Sequence, residues 1–279
     1  MGDNFNKLVS NIHLSERTLD HLEFTYEDYL NYLKIIDELD EFKKNLFLKT
    51  LKNREIVNNQ ETEMEESFMV ELYNISRRKD SIDIVMQIIE DGSITKEELK
   101  KLHRVVIKGS SDDIPSNYNY RTDNNKWVGS FDNYGGKIID YMPPDYTKID
   151  SLISQTLNYL NKDIGIKNLD HVFVKPFIVH ALLAYIQPFG NGNTRLARVL
   201  QHGKIWHDTN HKTEFNMVMP TIYLSKNYLQ TRPQYREIIK DVSINYNDEV
   251  WNKWINYNLN MIDEQLNFHE ENLKKLKRM

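Results

Sequence analysis

The sequence contains no cysteine. That excludes disulfides and thiolate metal centres, and it leaves a reducing cytoplasm as the expected location. An excess of positive charge is also missing: 36 lysines and arginines face 41 aspartates and glutamates, a net charge of −5. A nucleic-acid coat needs a basic face, so no nucleic-acid partner is expected. No stretch approaches the roughly 18 apolar residues of a membrane span. The opening MGDNFNKLVSNIH has no apolar signal core, so neither a membrane nor a secretory leader is expected. The histidines show no H-E-x-x-H or comparable spacing, which argues against a zinc enzyme. There is no internal repeat. What is present is a chain of 279 residues, 40% hydrophobic, enough for one large domain or two modest ones with a real core.

Most of the chain has a helical period. In YEDYLNYLKIIDELDEFKKNLFLKTLKNREIV, Tyr29, Leu33, Ile36 and Leu39 fall three or four apart. DSIDIVMQIIEDG repeats the pattern and stops at Gly92. In SITKEELKKLHRVVIKG, Thr95 followed three residues later by Glu98 reads as a capping box, with Gly109 at the far end. DYTKIDSLISQTLNYLNKD and LDHVFVKPFIVHALLAYI are two more helices. Pro176 fits the first turn of the second if that helix opens near Lys175, and kinks it if it opens near Asp170. SKNYLQ, RPQYREIIKDV and a tail helix from about Asp248 complete the set.

One segment departs from this period. Residues 119–146 carry Trp127 and Val128, a Gly135-Gly136 turn, then Ile138, Ile139 and Tyr141, closed by Pro143-Pro144. Two short apolar stretches around a glycine turn predict a β-hairpin in a helical protein. The fold class is therefore all-α with one hairpin. The loosest point of the chain, near 92–95, divides an N-terminal helical region (1–94) from a core domain (95–255) and a C-terminal helical tail (256–279).

AYIQPFGNGNTRLAR, residues 184–198, places two glycines, two asparagines and a threonine between apolar runs, with Arg195 and Arg198 just beyond. Pro188 and Gly190 end one helix. Gly192 permits a backbone turn that gathers N–H groups into an anion nest. A helix opening near Asn193–Thr194 aims its dipole at the same point. Arg195 and Arg198, three apart, share a helix face and can clasp phosphate oxygens. A plain helix–turn–helix joint with asparagine and threonine capping fits the same residues.

The stretch resembles the signature loop of the Fic family (Fic/Doc fold), H-P-F-x-[D/E]-G-N-[G/K]-R-x-x-R, at Pro188, Phe189, Gly192, Asn193, Arg195 and Arg198. LHRVVIKG (102–109), YRTDNNKWVG (120–129) and IIDYMPP (138–144) resemble the run into the family's hairpin flap. IYLSKNYLQTRPQYREII (222–239) resembles the helices that follow, and His180 sits where many members carry a histidine. The similarity spans about residues 100–255.

The resemblance implies a Fic-type helical bundle with a β-hairpin flap, and an activity: transfer of AMP from ATP to a protein hydroxyl, with Mg²⁺. It implies nucleotide binding by Gly190, Gly192, Asn193, Thr194, Arg195 and Arg198. It places Asn193 and Arg195 in the catalytic set, and Tyr235 and Ile239 at the adenine. Gln187 stands at the position of the general base and Asn191 at that of the acidic metal ligand. A general base contributes about 10²–10⁴-fold and an amide cannot take the proton. An amide carbonyl also brings no charge to a cation. AMP transfer is therefore expected to be absent or impaired, with a non-catalytic nucleotide-binding or interaction module as the other reading. Trp127, Val128, Gly129, Ile138 and Ile139 are implied to dock a target protein as an added strand. A helix around 54–66 is implied to be inhibitory, with Glu63, or alternatively Glu61, pairing with Arg198. A homodimer is compatible with the family.

Overall fold

The computed structural model describes residues 9, 11–61, 80–90, 93–245 and 247–278. Within them the chain forms ten α-helices and one antiparallel hairpin. The helices are α1 (Glu16–Asp37), α2 (Glu41–Glu61), α3 (Asp80–Glu90), α4 (Lys96–Ile107), α5 (Ile149–Asn161), α6 (Val174–Ile186), α7 (Asn193–Lys212), α8 (Ser225–Gln230), α9 (Arg232–Ile244) and α10 (Asp248–Arg278). The strands are β1 (Val128–Phe131) and β2 (Lys137–Tyr141).

The organising element is α6. Its sequence VKPFIVHALLAYI has no polar face, and every residue but Tyr185 is buried. A helix that is apolar all round must be enclosed by other elements. It packs against α7, α5, α9 and α10. Pro176 sits in its first turn, where no intrahelical N–H bond is lost. The α10 helix covers α1 along its length, and Trp254 of α10 donates its indole N–H to the Phe177 carbonyl of α6 (2.8 Å). One continuous core cluster includes Leu33, Val85, Leu102, Phe177, Leu200 and Leu273, so residues from both sides of the 92–95 boundary share it.

The run from Tyr26 to Val57 is not one helix. The chain breaks after Asp37, and Asp40 restarts it by accepting from the Lys43 N–H (2.9 Å). The candidate inhibitory helix around 54–66 is described only up to Glu61, the last residue of α2. Glu63 lies outside the described residues.

The hairpin pairs Gly129 with Ile139 and Ser130 with Ile138, and the register shifts between Val128 and Gly129. Val128 pairs with Tyr141, so Asp140 is the extra residue of a β-bulge. Its carboxylate accepts from Arg236 Nη2 of α9 at 2.6 Å. Gly129 is needed for closeness: a Cβ there would sit 1.9 Å from the Ile138 carbonyl oxygen. Trp127 lies just before β1, edge-on to Phe131 at 5.2 Å.

The Thr95 capping box forms as its spacing predicts, with both the Thr95 side chain and the Glu98 carboxylate bonded to backbone N–H groups. Thr95→Ala should lower the unfolding free energy by about 1 kcal/mol, read as a shifted urea midpoint with an unchanged slope.

Candidate functional site

Residues 187–192 join the two most buried helices, α6 and α7, and the site is built where α6 ends. Gln187 has φ +47° and ψ +59° and is the only non-glycine residue at positive φ among the described residues. It closes α6 as a left-handed cap, its N–H on the Leu183 carbonyl. That conformation costs a residue with a side chain about 1–2 kcal/mol. Its side chain turns inward and is 5% exposed. Gln187 Nε2 donates to the Ala184 carbonyl (2.7 Å), and Oε1 accepts from Asn193 Nδ2 (2.9 Å). Both ends of the amide are therefore engaged inside the protein.

Asn193 is the hub of the loop. Its Nδ2 also donates to the Phe189 carbonyl (2.9 Å), and its Oδ1 accepts from the Phe189 N–H (2.9 Å). Gly192, at φ +76°, caps α7 and has no side chain to close the helix end. A Cβ at Gly192 would meet Ile107 Cγ2 at 2.4 Å, so both the backbone conformation and α4 require glycine there. Thr194 is the second residue of α7 and is not its cap.

The two arginines diverge. Arg195, 3% exposed, turns to the loop mouth, where its guanidinium pairs with Asp112. Arg198 is wholly buried. Its charge is felt by Glu55, His180 and His202 in the interior. Glu55 of α2 accepts from Ser225 Oγ and lies 3.3 Å from His202 Nδ1. Burial pushes its carboxyl up to about 8, against the opposing pull of Ser225 and Arg198.

Four residues of the site carried no role in the sequence reading. Arg121 ties the hairpin's entry to the loop: its N–H donates to the Pro188 carbonyl (2.9 Å), its Nε to the Gln187 carbonyl (3.0 Å), and its Nη2 to the Pro144 carbonyl. Asp112, in the turn after α4, also accepts from Asn191 Nδ2 (2.9 Å). Lys126, just before β1, donates through Nζ to the Gly190 carbonyl (2.6 Å) and to Asn191 Oδ1 (3.0 Å). His103 of α4 stacks on Phe189 at 3.7 Å between ring centroids, its Nε2 2.8 Å from the Asn191 carbonyl oxygen. A charged residue inside YRTDNNK or SSDD gives no signal of this kind, because nothing local says that the segments meet.

The residues at position 191 do not fit a divalent cation. Asn191 is neutral, its carbonyl is already held by an ammonium, and Asp112 is committed to Arg195 and to the Asn191 amide. Hard cations are held by several oxygens, with carboxylates supplying the charge. Among the described residues no group of three His, Cys, Asp or Glu could hold a metal ion.

Tyr235 and Ile239 share a face of α9, but that face is the core: they are 6% and 4% exposed. The Tyr235 hydroxyl is 3.0 Å from His180 Nε2. His180 is itself a core residue, its ring held neutral by burial with a pKa lowered to about 3. On the hairpin, Ile138 and Ile139 are half exposed (50% and 48%) and Phe131 is more so (63%). Tyr141, by contrast, anchors the hairpin base by donating to the Ala184 carbonyl (2.5 Å).

Residues 93–202 match the sequence model of the Fic/DOC family. The chain thus carries a Fic/DOC domain over that segment, which includes α4, the hairpin, α6, the loop and the first half of α7. The whole arrangement of helices and hairpin is also that of solved Fic proteins. A Fic family protein from Desulfovibrio desulfuricans superposes with a TM-score of 0.60 at 14% identity, over 92% of this chain and 76% of that one. A Fic domain containing signaling protein from Bacteroides thetaiotaomicron gives 0.56 at 14% identity, over 92% and 94%. Fic-1 (residues 134–508) from C. elegans gives 0.56 at 13% identity, over 91% and 74%. At these identities the likeness is one of fold. No curated protein matches the sequence.

His103 gives the site a pH signature. Burial and the Arg195 charge lower its pKa to about 4, against the opposing pull of its bond to Asn191. A depressed histidine favours folding fully above its unfolded value near 6.5 and loses that contribution as pH falls through the folded value. Denaturant titrations should therefore show stability falling from pH 6.5 toward 4, with His103→Gln lowering the slope by about one proton near pH 5.

Proposed function

We propose that this protein binds a nucleotide polyphosphate at the 187–198 loop and that its AMP transfer to protein hydroxyls is silenced at Gln187. The observation that carries this reading is Asp112. An internal carboxylate sits on Arg195 at the open end of α7, the position that a phosphate would take in an anion nest at a helix N-terminus. A phosphate group exchanging with Asp112 would meet Arg195 and the loop backbone around Gly192. Arg198, buried beside Glu55, reaches such a ligand only if the interior cluster opens.

The chemistry follows from position 187. In AMP transfer the target hydroxyl attacks the α-phosphate and its proton must leave. The Gln187 amide accepts no proton, and its Oε1 is occupied by Asn193 Nδ2. Nothing at that position removes the proton, while Arg195 and the loop backbone around Gly192 stand at the open end of α7. The hairpin supports a docking role. Phe131, Ile138 and Ile139 are exposed on a two-stranded ribbon that is fixed to α6 through Tyr141 and to the loop through Arg121, so a cytoplasmic protein segment added as a strand would lie beside the site. Glu63 would be inhibitory by pairing with Arg198, as the family resemblance implies.

The second reading is a nucleotide-binding module without catalysis, favoured by the inward turn of the Gln187 amide. Incorporation of radiolabelled AMP separates the two. Gln187→His should raise transfer by about 10²-fold or more, the usual size of a general-base effect. Glu63→Gly should add to the restored rate and do little alone. A silent Gln187→His, Glu63→Gly double variant counts for the non-catalytic reading. Calorimetry with ADP tests the site itself: Arg195→Ala should weaken binding by about tenfold or more, the loss of a charged hydrogen bond.

A further inference from the structure

The loop resembles one that works with a divalent cation, yet the lip of this loop already holds a cation of its own. Lys126 Nζ lies 2.6 Å from the Gly190 carbonyl oxygen and 3.0 Å from Asn191 Oδ1. These are the oxygens that a metal approaching position 191 would need. The ammonium engages them and repels a second positive ion. The neutral Asn191 offers no charge to compensate. Asp112, the carboxylate beside it, faces the amide Nδ2 of Asn191 and the Arg195 guanidinium.

We infer that Lys126 takes the part of the divalent cation, so that a polyphosphate binds at this loop through Lys126 and Arg195 without metal. The inference rests on the nucleotide reading above and concerns what neutralises the phosphate charge. The placement is specific. Lys126 lies two residues before the hairpin, whose entry and exit are tied to the loop by Arg121 and whose base is tied to α6 by Tyr141. A flexible side chain is thereby held over the loop by a fixed backbone. An ammonium carries three N–H donors and acts as a point charge toward phosphate. When the ligand enters, Asp112 leaves Arg195, and Lys126 shifts its donors from the loop carbonyls to phosphate oxygens.

The test uses the full chain with ADP as the probe, measured by calorimetry in EDTA and again in Mg²⁺. The inference expects dissociation constants that agree within about threefold, and a loss of about tenfold or more in EDTA for Lys126→Met, since a charged hydrogen bond is removed. Lys126→Arg, which keeps the charge, should retain most of the affinity and guards against a misfolded methionine variant. Binding in Mg²⁺ that weakens about tenfold or more in EDTA overturns the inference and leaves the nucleotide reading standing. Absence of ADP binding in both buffers removes the nucleotide reading, and this inference with it. A direct readout comes from Mn²⁺ by electron paramagnetic resonance. The protein with ADP should retain no more Mn²⁺ than ADP alone, and the Lys126→Met, Asn191→Asp double variant should retain more. Retention of Mn²⁺ by the unaltered chain beyond that of ADP overturns the inference by itself.

Discussion

The burial of α6 is the constraint from which the rest follows. A 13-residue helix with no polar face has to be enclosed, and α5, α7, α9 and α10 enclose it. Once its walls are in place, its C-terminal end is fixed in space. The chain leaves through one residue in the left-handed conformation, Gln187, and re-enters the core as α7 six residues later. The loop is short, both of its anchors are buried, and Asn193 ties it across its width. The loop is therefore held by the core it caps.

The polar groups around this loop engage one another. Arg195 faces Asp112, Lys126 faces two carbonyl oxygens, and the Asn191 amide lies between the ammonium and the carboxylate. The arrangement places a carboxylate and an ammonium at the mouth of the loop. A buried guanidinium without a partner would be costly, so an internal carboxylate is a reasonable resident when no ligand is present. The cost of displacing it falls on the incoming anion, which must bind more strongly than one aspartate. A polyphosphate, with several charged oxygens, meets that condition better than a single carboxylate ligand would.

Much of the local structure was legible from residue spacing. The Thr95–Glu98 box, the opening of α7 near Asn193 and the start of α10 at about Asp248 lie where the local pattern puts them, while Pro176 was compatible with a first turn or a kink until the start of α6 at Val174 was known. The hairpin, too, follows from its glycines and its apolar pairs. The boundary near residue 40 was less visible, because Leu39 continues the helical period across the break and Asp40 acts only as a local restart. The bulge at Asp140 left no trace in the pattern, since an extra residue in a strand is recognised only when its partner strand is known.

The sequence by itself determined which backbone conformations were possible at the loop: glycine at 192 and a helix start at 193. These are short-range facts, fixed by sterics and by bonding between near neighbours. Only the tertiary structure decided where the side chains point. Arg195 and Arg198 are three apart on one helix, yet one pairs with Asp112 at the loop mouth and the other lies in the interior, where its charge is felt by Glu55 of α2. Tyr235 and Ile239 keep their common face, but the core claims it. Arg121 and Lys126 enter the site because the hairpin returns over α6. Charge and hydrogen-bond partners separated by 60 or more residues, as Lys126 and Gly190 are, are chosen by packing, and packing is a property of the whole set of helices.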